Sequence, residues 1–206
     1  MLIEPEIEEK IADVSFLDAG GVEHIKYPYY LLKELKIPFV MVVDRDFFFP
    51  YINNKLEDSR NSRTGLPIYS DILKDDVVIN DLFSTVQEKE LLRTRHNEGY
   101  RKFFEYINNY GILSMNYCLE MDLSCSEKAR EMYYDMGNIM PANRNQKFLL
   151  EKHGSSIKKI DKILKILEAL PKKSYPESYI KIKNAIIEDI NNNILMCGFW
   201  FLIVLR

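Results

Sequence analysis

The chain has 206 residues, 47% of them apolar and 29% charged, with a formal net charge of −3. That length covers one domain with additions or two small ones, and the apolar share supplies a sizeable core. There is no global basic surplus of the kind that marks nucleic-acid binders, so such a role falls to a local basic patch.

The first ten residues, MLIEPEIEEK, are acidic and lack the basic and apolar regions of a secretory signal. Cys118, Cys125 and Cys197 form an odd set without metal-type spacing, which points to a reducing, cytoplasmic setting.

Residues 12–18, ADVSFLD, are short and apolar and run into Gly20-Gly21, the pattern of a strand. A helix follows, with Pro28 in its first turn and Leu31, Leu32 and Leu35 at helical spacing. Pro38 stops it, and FVMVV makes a second strand whose unbroken apolar run predicts cover on both faces, as in a parallel sheet. Strand, helix and strand form a βαβ unit with a right-handed crossover. Residues 53–75 are polar, broken by Gly65 and Pro67, and read as loop. DVVIND reads as a short strand, and residues 83–108 as helical with a weak point at Gly99. ILSMNYCLEMDLS gives a further strand running through Leu119–Leu123.

The last third reads as helical. NQKFLLEKHG is a helix closed by Gly154, with His153 near its carboxyl end. Ser155 or Ser156 caps the next helix, whose apolar face is Ile157, Ile160, Leu164 and Leu167 and which Pro171 ends. A final amphipathic helix begins at PESYIKIK. The tail from Ile194 to Leu205 is almost wholly apolar. It is too short for a membrane span of about 20 residues. A buried last strand or helix end is the expected reading, beside a membrane-surface anchor or an altered terminus.

Asp44 and Asp46 stand at the carboxyl end of the second strand, where open α/β sheets bind ligands. With a period of two they face the same way, and Arg45 faces away. Their mutual repulsion is relieved by a hard cation, for which one or two carboxylates suffice. Glu120 and Asp122 repeat the pattern on the later strand. Four converging carboxylates make a two-metal site suited to phosphodiester displacement. RTRHNEGYRK, residues 93–102, is the densest basic stretch and is read either as a face for DNA phosphates or as a solvated helix face.

The order VSFLDAGG, helix, LKIPFVMVVDRD and, much later, YGILSMNYCLEMDLS resembles the Toprim domain of nucleases of the OLD (overcoming lysogenization defect) family. These are similar to the DNA-cleaving half of ATPase-coupled anti-phage systems such as Gabija. The resemblance spans roughly Ile11 to Leu123. It implies an α/β fold with a Toprim-like parallel sheet flanked by helices over residues 1–136, and a helical extension over 137–206. It implies a DNA endonuclease dependent on Mg²⁺ or Mn²⁺, with Asp44, Asp46, Glu120 and Asp122 at the metal and Gly20 and Gly21 in the turn beside it. Asp44, Asp46 and Glu120 would be catalytic, with Lys147 or Lys152 on the scissile phosphate.

One departure stands out. The family pattern opens with a strand ending in glutamate and then a helix, whereas only ten residues precede Ile11 here, and Glu4 is followed by too little chain for that helix. No G-x-x-x-x-G-K-[ST] motif occurs either. The chain therefore reads as part of a larger system, in a homo-oligomer or hetero-complex, with DNA and an ATPase domain or subunit as partners and no membrane. The alternative is a truncated or degenerate Toprim module used for assembly or DNA docking. A phosphate-handling α/β enzyme of another kind lacks any nucleophile motif, and His24, His96 and His153 form no set.

Overall fold

The computed structural model describes residues 14–197 and 200–204. The acidic start of the chain, with Glu4, and Cys197's neighbours 198–199 lie outside them. The protein is α/β, built on a four-stranded parallel sheet. Its strands are β1 (Val14–Asp18), β2 (Phe39–Val43), β3 (Ile112–Ser114) and β4 (Trp200–Val204), in the spatial order β1-β4-β2-β3. Asp18 aligns with Val204, Val42 with Val204, and Val43 with Ser114, so all four carboxyl ends open on one edge. Within the apolar tail, Trp200–Val204 is thus a strand of the sheet, between β1 and β2, with Ile203 fully buried, while Ile194–Cys197 are helical.

The helix after β1, α1 (Lys26–Glu34), carries Pro28 in its first turn, where a missing N–H costs nothing. The segment DVVIND is a helix, α2 (Val77–Leu82), not a strand. Asp76 decides this: its carboxylate accepts from the N–H groups of Val78 and Ile79, at 2.8 and 3.3 Å, an N-cap that an alternating-pattern reading overlooks. The long helical stretch is two helices, α3 (Val86–Asn97) and α4 (Tyr100–Asn108). Thr85 and Glu88 close a capping box at the start of α3. The break falls at Gly99, whose φ of +110° suits glycine.

The strand expected through Leu119–Leu123 stops at Ser114. Residues Leu119–Cys125 form helix α5. Beyond it come α6 (Glu127–Met136), α7 (Gln146–Lys152), α8 (Gly154–Ile157), α9 (Ile160–Ala169) and α10 (Glu177–Cys197). Asn145 caps α7, accepting from Phe148 N–H at 2.9 Å. Neither Ser155 nor Ser156 caps α9; its N-cap is Lys159, with no side-chain bond. The buried residues of α9 are Ile163 and Ile166, while Ile160 and Leu164 are exposed, so its apolar face is turned from the expected one.

Strand β2 explains the layering. Met41 and Val43 join a core with α1–α4, including Phe48, Ile79, Leu92 and Phe103. Val40 and Val42, on the opposite face, pack with Leu113, Phe104 and the Ile182, Ala185 and Ile190 face of α10. Both faces are covered, as the apolar run requires. A third core, with Leu123, Tyr133, Leu149 and Ile166, unites α5–α9. The loop 50–75 is tied down by antiparallel bridges Tyr51 to Tyr69 and Arg60 to Pro67. Gly65, at φ +74°, brings this loop against α7: a Cβ there would lie 2.9 Å from Lys147 Cα.

Among the described residues no helix is long and apolar enough to cross a membrane.

Asp76→Ala is expected to cost about 1 kcal/mol by loss of the cap, and Phe48→Ala about 3–5 kcal/mol by cavity formation. Urea denaturation followed by circular dichroism checks both, and equal losses would contradict the assignment of Asp76 as a cap only.

Candidate active site

The site is built from the turn that ends β2. Asp44 keeps extended backbone, and Arg45–Phe47 then tighten into one 3₁₀ turn. Phe47, Phe48 and Phe49 follow, each fully buried. They plug the core under the sheet edge and fix where the preceding charges emerge. The turn is stitched to the β3–α5 connection by two backbone bonds, Arg45 N–H to Tyr117 O at 2.9 Å and Met115 N–H to Val43 O at 2.9 Å. At the end of β1, on the far side of β4, Gly20 donates its N–H to Asp18 Oδ1 at 3.0 Å, forming the glycine turn after β1.

Glu120 and Asp122 reach this edge on a helix, and that changes their roles. Residues two apart on a helix point nearly opposite ways, at about 100° per residue. Asp122 turns back onto its own connection, accepting from Asn116 N–H and Tyr117 N–H at 2.8 Å each. It is a buried structural acceptor for the loop that carries the site. Burial pushes its carboxyl up to about 7, against the pull of the Ser178 side chain, of those N–H groups and of Arg45. Glu120 goes the other way. Its side chain is 10% exposed, and its Oε1 is buried and accepts no hydrogen bond, with Lys158 Nζ in ion-pair contact at 3.5 Å.

Asp44 registers the charge of the whole group. Its carboxyl is pushed up to about 8, first by burial, then by the negative charge of Asp46, Glu120 and Asp122, and Lys158 opposes the rise. Asp46 is half-buried, with Tyr51 Oη donating to its Oδ2 at 3.5 Å. The thiol of Cys118 is also pushed up, by burial and then by Glu120 and Asp44.

Lys147 and Lys152 are not at this cluster. Lys147 pairs along its own helix with Glu151 at 3.9 Å, and Lys152 is exposed on the same helix. The lysine beside the acids is Lys158, at the end of α8. No signal in the chain singles it out, because the short turn that delivers it, after Gly154, exists only in the packed structure. Arg45 lies in a 3₁₀ turn rather than the expected strand, and its guanidinium meets His96. The basic stretch 93–102 is largely neutralised: Arg93 pairs with Glu90, Arg95 with Glu98, Arg101 with Glu177 and Lys102 with Glu105.

Among the described residues, no group of three or more His, Cys, Asp and Glu side chains is arranged to hold a metal ion. The donors nevertheless suit a hard cation in kind. They are carboxylate oxygens, one is buried and accepts no hydrogen bond, and another has its carboxyl pKa pushed up to about 8 by burial and then by the neighbouring carboxylates. Comparison with protein-family models, with curated proteins and with solved structures finds no match.

The raised carboxyls set a pH dependence. A carboxyl whose folded pKa lies above its unfolded value of about 3.9 binds more protons when folded, so it stabilises below that value and its contribution is lost as pH rises towards the folded value. In chelator, stability is expected to fall between pH 4 and 8 by ~2–5 kcal/mol. Asp44→Asn removes roughly half of that fall, the raised Asp122 carboxyl supplying the rest. Urea midpoints at pH 5 and pH 8 for both proteins test it, and parallel profiles would show that Asp44 is not held protonated.

Proposed function

We propose that the chain carries a Toprim-like, OLD-type site for divalent-metal-dependent hydrolysis of DNA phosphodiesters. The observation that carries this reading is the gathering of Asp44, Asp46 and Glu120 at the carboxyl edge of a parallel sheet, with Lys158 beside them. Asp44, Asp46 and Glu120 would hold Mg²⁺ or Mn²⁺. When bound, such an ion supplies charge stabilisation at phosphate and lowers the pKa of attacking water. The protein's own groups do the rest. Asp44 must release its proton, so cation affinity rises with pH up to about 8. Lys158, 59% exposed at its side chain, is free to swing from Glu120 to a phosphate oxygen and meet developing negative charge. Asp122 holds the connection that leads into α5, the helix that carries Glu120. An ATPase domain or subunit would come from elsewhere in the system, and the working form would be an oligomer or hetero-complex.

A second reading is a Toprim module that docks DNA or partners without cleaving. The lack of a formed three-donor group among the described residues favours it.

Calorimetry with Mg²⁺ and Mn²⁺ separates the two. The nuclease reading expects binding that is lost in Asp44→Ala/Asp46→Ala. It also expects nicking of supercoiled plasmid that falls about 10²-fold in Lys158→Ala, while Lys147→Ala and Lys152→Ala stay near wild type. A folded protein that binds DNA but neither metal would sink the nuclease reading and leave docking.

A further inference from the structure

Arg45 raises a separate question: what balances its charge? It is 5% exposed, and its guanidinium lies flat over the Phe103 ring at 4.0 Å from the centroid. Nε and Nη2 meet His96 Nδ1 at 3.2 and 2.8 Å, and Nη2 reaches His96 O at 3.5 Å. Burial, and then Arg45 itself, lower the His96 pKa to about 4, so the ring is a neutral acceptor. Nη1 is buried with no partner, and among the described residues no carboxylate forms an ion pair with this guanidinium. Burying an unpaired cation costs several kcal/mol.

Beside it lies a cavity of about 370 Å³, near the lower end of the size of small-molecule sites. Arg45 and His96 form part of its wall, with the amides Asn61 and Asn116 and the phenol Tyr100. Gly99, on the same wall, begins α4, a nine-residue helix with no side-chain cap on its first N–H groups. An added Cβ at Gly99 would meet nothing within 4 Å. An uncapped helix N-terminus and a buried unpaired guanidinium thus converge on one cavity, and both select an anion. Arginine's planar fork suits phosphate oxygens.

We propose that this cavity is a phosphate-binding site, distinct from the acidic cluster, in which Arg45 and the amino end of α4 hold a phosphate monoester or free inorganic phosphate. The run 93–102 then contributes through the helix end at Gly99 and through His96 rather than through its surface arginines. His96 is a positioning residue: it fixes two guanidinium donors and leaves the third for the ligand.

The test is a titration of the full chain with inorganic phosphate, against chloride at equal ionic strength, followed by ¹H–¹⁵N NMR. Arg45 Nε and the amides of Gly99, Tyr100 and Arg101 are expected to shift together and saturably with phosphate only. Arg45→Met, which replaces a buried charge by an apolar chain of similar length, is expected to bind at least tenfold more weakly while keeping its circular dichroism. Asp44→Asn is expected to retain the shifts, because the acidic cluster is not involved. Competition by 5′-phosphorylated and 5′-hydroxyl oligonucleotides separates the sources. Preference for the phosphorylated strand assigns a nucleic-acid end, and equal weakness of both assigns free phosphate. Absence of phosphate-specific shifts in the wild type, or unchanged affinity in a folded Arg45→Met, overturns the proposal.

Discussion

The turn at Asp44–Phe49 depends on three phenylalanines that have nowhere to go but inward. Phe48 meets the rings of Phe47, Phe83 and Phe103 with centroids 4.9–6.3 Å apart, and Phe49 stacks on His96 at 3.7 Å. Edge-to-face packing of this kind adds to an already large burial term. The plug fixes the backbone immediately after the acids, so that charge is delivered to a partly dry edge. It also fixes His96 and Phe103, the two groups that receive Arg45. One hydrophobic anchor therefore positions opposite charges on two sides of a single turn.

The two sides differ in what satisfies them. On one, carboxylates collect faster than donors do. Asp122 has two backbone N–H groups, whereas Glu120 Oε1 accepts no hydrogen bond and has only the ion-pair contact with the exposed Lys158 at 3.5 Å. On the other, a guanidinium is surrounded by rings, a neutral imidazole and a cavity. Buried polar groups are nearly always paired in folded proteins; among the described residues the exceptions are Arg45 Nη1, Glu120 Oε1 and Ser178 Oγ, and the first two flank the turn at the sheet's carboxyl edge, where α/β folds place their ligands. Tyr51, Tyr69 and Tyr117 lie between, in a stack with centroids 5.5 and 6.3 Å apart. Tyr51 touches Asp46, and Tyr69 and Tyr117 line the cavity beside Arg45. The two charge environments therefore share an aromatic wall.

The apolar tail illustrates how a sheet recruits its strands. β1 and β2 are joined by a single helix yet are not neighbours; β4 lies between them and pairs with both in parallel. A strand in that position is paired on both edges, and Trp200–Val204 carries no charge, with Ile203 fully buried. The sheet that carries the acids is thus drawn from both ends of the chain, and α10, which leads into β4, covers one of its faces.

Local chemistry in the sequence was enough to place β1, α1 and β2, the break at Gly99 and the edge position of Asp44 and Asp46. Each rests on signals within a few residues: an unbroken apolar run, a proline in a first turn, a glycine at positive φ. Periodicity misled at Val77–Leu82 and Leu119–Cys125, because short apolar alternation is shared by strands and helices until a cap decides. At the first, the cap is Asp76, visible but outweighed by β-branched neighbours. At the second, the decision comes from Asp122 satisfying a turn six residues upstream and from a core made with α6–α9. Only the tertiary structure could bring Lys158 to Glu120, turn Asp122 into a loop support, and leave Arg45 buried with no contact ion pair, Asp122 acting on it only at longer range. Those are long-range pairings, and nothing in their local sequence distinguishes them from any other lysine, aspartate or arginine.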